Sequence, residues 1–420
     1  MEKKNAGLGA SWSDIWLLDG VRTPFADYNG PLAPVSPTDL GIKAARAVFA
    51  RSKISPDDVG AVITGSMAQA SFDTYCLPRH VGLYSGVPIE VPAHMVQRVC
   101  GTGMEILMQA ADCITHKGID LALCVGAESM SRNPVASYTM RGFRMGQPEM
   151  KDFLWEALMD PAPHMTMGDT AENLARQYQI TRPEVDAYAA RSFERAIAAQ
   201  KSGFVAGEIV KVENEPFERT GYKPRAFKLR GEKELSIDTH VRPSPVEALA
   251  KIRAAFGGVQ TGGNSSAVVD GAAAALVGSS AYAKKQVKQP LARIVAGVTI
   301  GVPPEVMGIG PVPAIKALLE RTGLKLSEID RFEINEAFGA QVMACARELG
   351  LDENKLNVNG GAIAIGHPLG ASGVRLSITL ARELKRAGLR YGIASACIGG
   401  GQGIALLIEN PDAASPQGKN

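Results

Sequence analysis

Gly101-Thr102-Gly103-Met104-Glu105-Ile106-Leu107-Met108-Gln109-Ala110-Ala111-Asp112-Cys113-Ile114-Thr115, followed after a short break by Leu121-Ala122-Leu123-Cys124-Val125-Gly126, decides the fold. The first run has helical spacing of its apolar residues, and the second is a continuous apolar run of strand length. Upstream, Ile15 to Leu18 reads as a strand and Thr23 to Pro37 as a turn-rich connection. Asp39 to Arg51 then reads as a helix and Ala61 to Thr64 as another strand. Strands alternating with helices predict a layered α/β fold with a mostly parallel sheet.

The same sequence of signals returns later. Gly41-Ile42-Lys43-Ala44 opens a helix that leads to Ile54-Ser55-Pro56-Asp57 and then to a strand. Ala314-Ile315-Lys316-Ala317 opens one that leads to Leu326-Ser327-Glu328-Ile329 and then to a strand. Gly103 and Gly118 bracket a helix before the strand at Leu121, and Gly373 and Gly388, at the same spacing, bracket one before a strand at Tyr391. One echo means little in an α/β chain; two in the same order indicate an internal duplication. Between the halves the texture changes. Asn133 to Arg242 is rich in Met, Pro and charge, with helical stretches at Asp169 to Tyr178 and Arg182 to Lys201, and reads as an insertion lying over the core. Strand-like texture resumes at Val268 to Val277.

Bulk properties exclude several classes. At 420 residues the chain can fill two or three domain-sized cores. Its 45 basic and 43 acidic residues leave a net charge of +2, so no general nucleic-acid surface is expected. No apolar run reaches the roughly 18 residues that span a bilayer. Met1 to Trp16 starts basic but has no apolar stretch of signal-peptide length. Six cysteines without a CxxC pair argue against a disulfide framework or a structural zinc site, and lead to the expectation of a reducing, cytoplasmic location. The polar tail Asn410 to Asn420 reads as a frayed end.

Four segments can carry chemistry. Gln97-Arg98-Val99-Cys100-Gly101-Thr102-Gly103 places a cysteine before a helix, where unpaired N–H groups and the helix dipole lower a thiol pKa. Taken alone, a small buried cysteine would explain it as well. Asn359-Gly360-Gly361-Ala362-Ile363-Ala364-Ile365-Gly366-His367-Pro368-Leu369-Gly370-Ala371-Ser372-Gly373 holds one histidine in a glycine-rich turn. An imidazole titrating near neutrality can take a thiol proton and return it. Cys397-Ile398-Gly399-Gly400-Gly401-Gln402-Gly403 sets a second cysteine beside exposed backbone donors, which can hold an oxyanion. Asn335-Glu336-Ala337-Phe338 ends a strand and offers an amide. His80, His94, His116, His164 and His240 have no comparable setting and receive no role.

In this order the four segments resemble those of the thiolases, the acetyl-CoA acyltransferases. So do Val21-Arg22-Thr23-Pro24-Phe25, Gly126-Ala127-Glu128-Ser129-Met130-Ser131 and Met167-Gly168-Asp169-Thr170-Ala171-Glu172-Asn173. Gly262-Gly263-Asn264-Ser265-Ser266 with Asp270-Gly271-Ala272-Ala273, and Val306-Met307-Gly308-Ile309-Gly310-Pro311, extend the likeness from about Ser13 to Glu409. The resemblance implies a layered αβαβα sandwich of two duplicated halves with an inserted loop domain. Residues 1–132 with 243–290 would form the first half, 133–242 the loop domain over the active site, and 291–420 the second half. It implies acyl transfer between coenzyme A and a carbon nucleophile, by thiolytic cleavage of a 3-ketoacyl-CoA or the reverse Claisen condensation. Cys100 would be the nucleophile and His367 its base, while Cys397 would move the proton on the carbon nucleophile. Asn335 with His367 would form one oxyanion hole, and the N–H groups of Cys100 and Gly399 the other. Ser266, Phe256 and Met307 would contact coenzyme A, a substrate rather than a tightly bound cofactor, and no metal is expected. A homodimer or homotetramer without a membrane span is implied. Gln97 stands where the family usually has Asn and Thr102 where it usually has Ser, changes expected to reshape the acyl pocket. Two competing readings remain: a ketoacyl synthase-like condensing enzyme of the same fold, or a non-catalytic acyl-CoA or lipid-binding protein. The first would call for a second active-site histidine, or an asparagine beside one, in place of Cys397. The second would predict loss of Cys100, His367 or Cys397, and all three are present.

Overall fold

The computed structural model describes residues 7–137, 145–286 and 289–413. The basic start of the chain and most of the tail expected to fray, residues 414–420, lie outside the described residues.

The first half runs β1 (Ile15–Arg22), α1 (Pro37–Ser52), β2 (Ala61–Gly65), β3 (Ala93–Met95), α2 (Thr102–His116) and β4 (Leu121–Glu128). Local chemistry sets the ends. Ser36 Oγ accepts from the Asp39 N–H at 3.1 Å and Pro37 takes the first helical position of α1, while Lys53 closes it with a positive φ. Next come α3 (Met167–Gln177) and α4 (Arg182–Lys201). Thr166 and Asp169 cap α3 reciprocally, at 2.9 and 3.2 Å. β5 (Val269–Ser279) completes the half. The second half follows as β6 (Ala292–Gly301), α5 (Pro311–Thr322), β7 (Arg331–Ile334), α6 (Gly339–Leu349), α7 (Leu369–Ala387), β8 (Tyr391–Ile398) and β9 (Gln402–Glu409).

The main sheet is ordered β7-β8-β9-β6-β1-β5-β4-β2-β3, with Leu8–Ser11 added on β6 and Ala26–Asp27 on β5. The duplication is visible in this order. β2-β4-β5-β1 of the first half corresponds to β7-β8-β9-β6 of the second, each with one parallel pairing followed by two antiparallel ones. The halves join where Leu17 and Trp16 of β1 pair with Ala292 and Arg293 of β6. The sheet is therefore mixed rather than mostly parallel. Among the described residues, the main-sheet strand pairs β2·β3, β2·β4 and β7·β8 run parallel; β9 returns on β8 as a hairpin and β5 lies antiparallel on β4, directions that no apolar pattern encodes.

Among the described residues, three large apolar cores hold five layers together, the central one enclosing the middle layer. One lies between α1 and the outer face of the first half-sheet, through Leu40, Ile42 and Val48 against Leu123 and Val125. The central one holds α2 and α7 between the half-sheets, through Met104, Ile106, Val374 and Ile378 against Cys124 and Ile404. The third covers the second half-sheet with α5, α6 and α4, through Ile315, Val342 and Phe193. This is a layered αβαβα sandwich. The central helices cross at the two equivalent glycines. A Cβ on Gly103 would lie 2.5 Å from the Val374 nitrogen, and one on Gly373 would lie 2.3 Å from the Met104 nitrogen. Backbone touches backbone there, so the N-terminal ends of α2 and α7 are brought together from opposite halves.

Between residues 133 and 242 the chain adds α3, α4 and short two-stranded ribbons, and among the described residues it adds no strand to the main sheet. This segment packs on both halves: Phe217 and Phe227 belong to the first core, and Tyr188 and Phe193 to the third. Buried ion pairs from Arg22 to Glu208 at 2.7 Å and to Asp238 at 2.6 Å tie it to β1. No helix among the described residues is long and apolar enough to cross a membrane.

Candidate active site

Cys100, His367, Ser266, Phe256 and Met307 line one cavity of about 280 Å³. Its walls are almost wholly apolar: Met130 and Val268 from the first half, Trp155 and Met167 from the segment above, Phe338 and Leu369 from the second. An aqueous thiol and imidazole have thus been moved into a largely apolar site, and their acidities follow from that.

Cys100 sits just before the Gly101 cap of α2. The backbone N–H groups of Gly399, in the turn after β8, and of Cys100 itself face its sulfur. Both favour the thiolate, but loss of water outweighs them and pushes the thiol up to about 11. The depressed thiol expected from its place before a helix is therefore not found in the resting site. A sequence shows the helix end; it does not show the second half of the molecule closing over the sulfur.

His367 precedes α7 and is buried. Its Nδ1 lies 2.6 Å from Ser372 Oγ, which in turn donates to the Pro368 carbonyl at 3.0 Å. Ser372 must therefore accept, which places the ring proton on Nδ1 and leaves Nε2 as the acceptor. The Asn335 amide nitrogen lies 3.2 Å from that Nε2. Burial, with the Arg375 charge adding to it, pushes the imidazole down to about 3. The ring is neutral at any physiological pH, which differs from the near-neutral titration expected of it.

Asn335 follows β7, and its Oδ1 is buried without a hydrogen-bond partner among the described residues. Cys397 lies near the end of β8, paired with Gly403, and packs with Met307, Ala337, Met167 and Phe338, all of which line the cavity. Its thiol is pushed far up by burial, with the neighbouring Cys100 adding to the shift. Of the five residues read as chemical, Cys100 and His367 line the cavity together with the three coenzyme A candidates, while Asn335, Cys397 and Gly399 adjoin one or other of them from behind its wall. Ser372 was missed; its place five residues after His367, on the first turn of a helix, was the available signal. Glu128 lies in the segment 126–131, whose pattern assigns it no role. It is buried and accepts N–H groups from Met67 at 2.9 Å, Ala68 at 3.0 Å and Gly370 at 2.8 Å, fixing the start of α7. Gln97 and Thr102 do not line the cavity. Thr102 is buried, and its hydroxyl holds backbone instead of shaping an acyl pocket.

A thiol under two N–H donors, a neutral imidazole unprotonated at Nε2 and a second thiol nearby can form a thioester and move a proton at carbon beside it. The family profile described as "Thiolase, N-terminal domain" matches residues 15–281, and "Thiolase, C-terminal domain" matches residues 288–410. The chain belongs to the thiolase family. Like other thiolases, it is an acyltransferase. It is similar to the mitochondrial 3-ketoacyl-CoA thiolase of Bos taurus, at 42% identity over 94% of this chain and 98% of that one. It is also similar to the cytosolic acetyl-CoA acetyltransferase of Mus musculus, at 37% identity over 96% of this chain and all of the other. Among solved structures, the human mitochondrial 3-ketoacyl-CoA thiolase in complex with CoA superposes with a TM-score of 0.88 at 41% identity, covering 94% and 98% of the two chains. The more similar of the two relatives is mitochondrial, as is the human protein, and this overturns the cytoplasmic expectation. That expectation rests on cysteines without a CxxC pair, a pattern that distinguishes no one thiol-preserving compartment from another.

Proposed function

We propose that this thiolase cleaves short-chain 3-ketoacyl-CoA with coenzyme A, and runs the reverse condensation of acyl-CoA with acetyl-CoA, through an acyl thioester on Cys100. The observation that carries this reading is the Cys100 sulfur lying under the Gly399 and Cys100 N–H groups in the cavity that also holds His367. In cleavage, Cys100 attacks the 3-keto carbon while its proton passes to His367 Nε2. Burial disfavours both charged forms at rest, so the proton moves as the attack places charge on the keto oxygen. The two N–H groups receive that oxygen; in known cases such a donor is worth about 3 kcal/mol. The C2–C3 bond then breaks toward an acetyl-CoA enolate. Its thioester oxygen is held by His367, now an N–H donor, and by Asn335, and its carbon takes a proton from Cys397. The thiol of coenzyme A then gives its proton to the Cys397 thiolate and attacks the Cys100 thioester; the acyl group leaves as acyl-CoA and His367 returns its proton to the Cys100 sulfur, so ping-pong kinetics follow.

Phe256, Ser266 and Met307 flank the path of the pantetheine arm, and Phe256 meets Phe338 edge to face at 6.1 Å. Short acyl chains are favoured because Met130, Leu154 and Leu369 pack as a buried cluster behind Cys100. Nucleophile, base, carbon acid and oxyanion donors are all protein groups, so the reaction calls for no resident cofactor or metal. Residues 1–132 with 243–290 and residues 291–420 act as the two halves that supply these groups, and 133–242 as the loop domain above them. A homodimer or homotetramer is favoured by the apolar patch around Phe72, 100% exposed, and Tyr75, 85% exposed.

Two variants test the chemistry. Cys100→Ala loses acyl transfer while coenzyme A still binds; an active variant would end the account. Cys397→Ala still takes up an acyl group, seen as a mass increase on the protein, but neither makes nor breaks the carbon–carbon bond. A steady-state comparison of acetoacetyl-CoA with longer 3-ketoacyl-CoA tests the chain length, and light scattering tests the assembly.

A further inference from the structure

Val99, the residue before the nucleophile, has a φ of +44°. A β-branched side chain enters that region only when its surroundings force it there. The force here comes from one buried hydroxyl: Thr102 Oγ1 accepts the Arg98 N–H at 2.8 Å and donates to the Val99 carbonyl at 2.7 Å. It thereby holds the peptide group after Val99 and the one that precedes Arg98. The Gly101 N–H closes the turn onto the Arg98 carbonyl at 2.8 Å.

Arg98 then reaches in two directions. Its Nε donates to Glu105 Oε2 at 2.9 Å, on the first turn of α2, and its Nη1 donates to Gln402 Oε1 at 3.0 Å. Glu105 is itself oriented by Gln109 Nε2, 3.1 Å from its other oxygen. Gln402 is the first residue of β9 and directly follows Gly399-Gly400-Gly401, the turn that sends one N–H to the Cys100 sulfur. One planar guanidinium therefore bridges the turn carrying the nucleophile and the turn carrying an oxyanion donor. These two turns belong to different halves of the molecule, and no covalent feature fixes their separation.

We propose that Arg98 is a positioning residue that, through Glu105 and Gln402, fixes the spacing between the Cys100 sulfur and the Gly399 N–H. Arg98 touches no reacting atom. The fork of the guanidinium suits the task because its donors leave at fixed angles to two partners; a lysine ammonium has no such fork. The proposal rests on the reading of Cys100 as the group that carries the acyl chain.

The test uses Arg98→Met, Arg98→Lys, Gln402→Leu and the double variant Arg98→Met/Gln402→Leu. In the otherwise unaltered enzyme, Arg98→Met and Gln402→Leu each lower kcat about tenfold, a fraction of what deleting an oxyanion donor outright costs. KM for coenzyme A stays within about twofold, since uniform binding is untouched. The double variant is no worse than either single one, because both cut the same link. Arg98→Lys recovers part of the loss. In a Cys397→Ala background, the infrared carbonyl stretch of a ¹³C-acetylated enzyme moves to higher frequency in Arg98→Met and Gln402→Leu, as its hydrogen bonds weaken. An unshifted carbonyl, additive losses, or a change in KM without one in kcat would overturn the proposal. If Arg98→Met fails to fold, Gln402→Leu leaves the Arg98–Glu105 pair intact and decides the question. The underlying reading fails separately: ¹³C-acetyl label on a Cys100→Ala protein would remove the nucleophile, whereas label on Cys100 with an unshifted carbonyl removes only the clamp.

Discussion

Gly373→Ala reverses the usual sign of a glycine replacement within a helix. In an exposed helix interior the added methyl is favourable by about 1 kcal/mol. Here it would stand 2.3 Å from the Met104 nitrogen and 2.7 Å from the Gly103 carbonyl carbon, both backbone atoms of the crossing helix. Ordinary contact needs 3.4 Å or more, so the helices must part by about 1 Å, and neither can yield by turning a side chain. Overpacking of this kind costs about 1–3 kcal/mol, at the upper end where backbone meets backbone. Less the helix-propensity gain, the variant loses about 2 kcal/mol. The same displacement separates the ends that carry Cys100 and His367, and a misplacement of about 1 Å can cost 100-fold in rate. Urea unfolding at pH 7 and steady-state acetoacetyl-CoA cleavage read the two effects, with Gly103→Ala as the reciprocal probe, 2.5 Å from the Val374 nitrogen. A Gly373→Ala protein as stable as the parent, with unchanged kcat, would refute the view that this crossing sets the active-site spacing.

The remaining predictions concern buried titrating groups. His367 has its folded pKa pushed down to about 3 from an ordinary 6.5, so the unfolded chain takes up a proton that the native site refuses as pH falls below 6.5. Between pH 7 and pH 5 this group alone removes about 2 kcal/mol of stability, and His367→Gln should narrow the difference between urea midpoints at those two pH values. An unchanged difference would mean that the imidazole is not desolvated. Glu128→Gln turns one acceptor oxygen into a donor facing backbone N–H groups and should cost about 1–3 kcal/mol. The same change removes a negative charge that raises the Cys100 thiol, so alkylation of Cys100 by iodoacetamide should set in at lower pH. A shift to higher pH would contradict that coupling.

Local grammar carried much of the architecture. The apolar runs of β4 and β5, the capped start of α4 at Thr181 and the repeated glycines around α2 and α7 are all written within a few residues of where they act. Strand direction was not. β9 lies antiparallel between β8 and β6, and a continuous apolar run says only that both faces are buried. At the site, Cys100 and His367 were legible because a reactive side chain among glycines has few other uses. Their acidities were not, since each depends on atoms supplied from the opposite half. The Arg98–Gln402 bond joins residues 304 positions apart and has no sequence signature at all.

The crossing of α2 and α7 carries one further consequence. The correspondence that equates Gly103 with Gly373 also equates Gln97 with His367 and Cys100 with Gly370. At one pseudo-symmetric end the chain keeps sulfur, and at the matching end it keeps imidazole. Two identical copies would have faced like with like, thiol to thiol or ring to ring. Because the two halves of this single polypeptide differ in sequence, the pocket between the helix ends holds a pair of unlike tools.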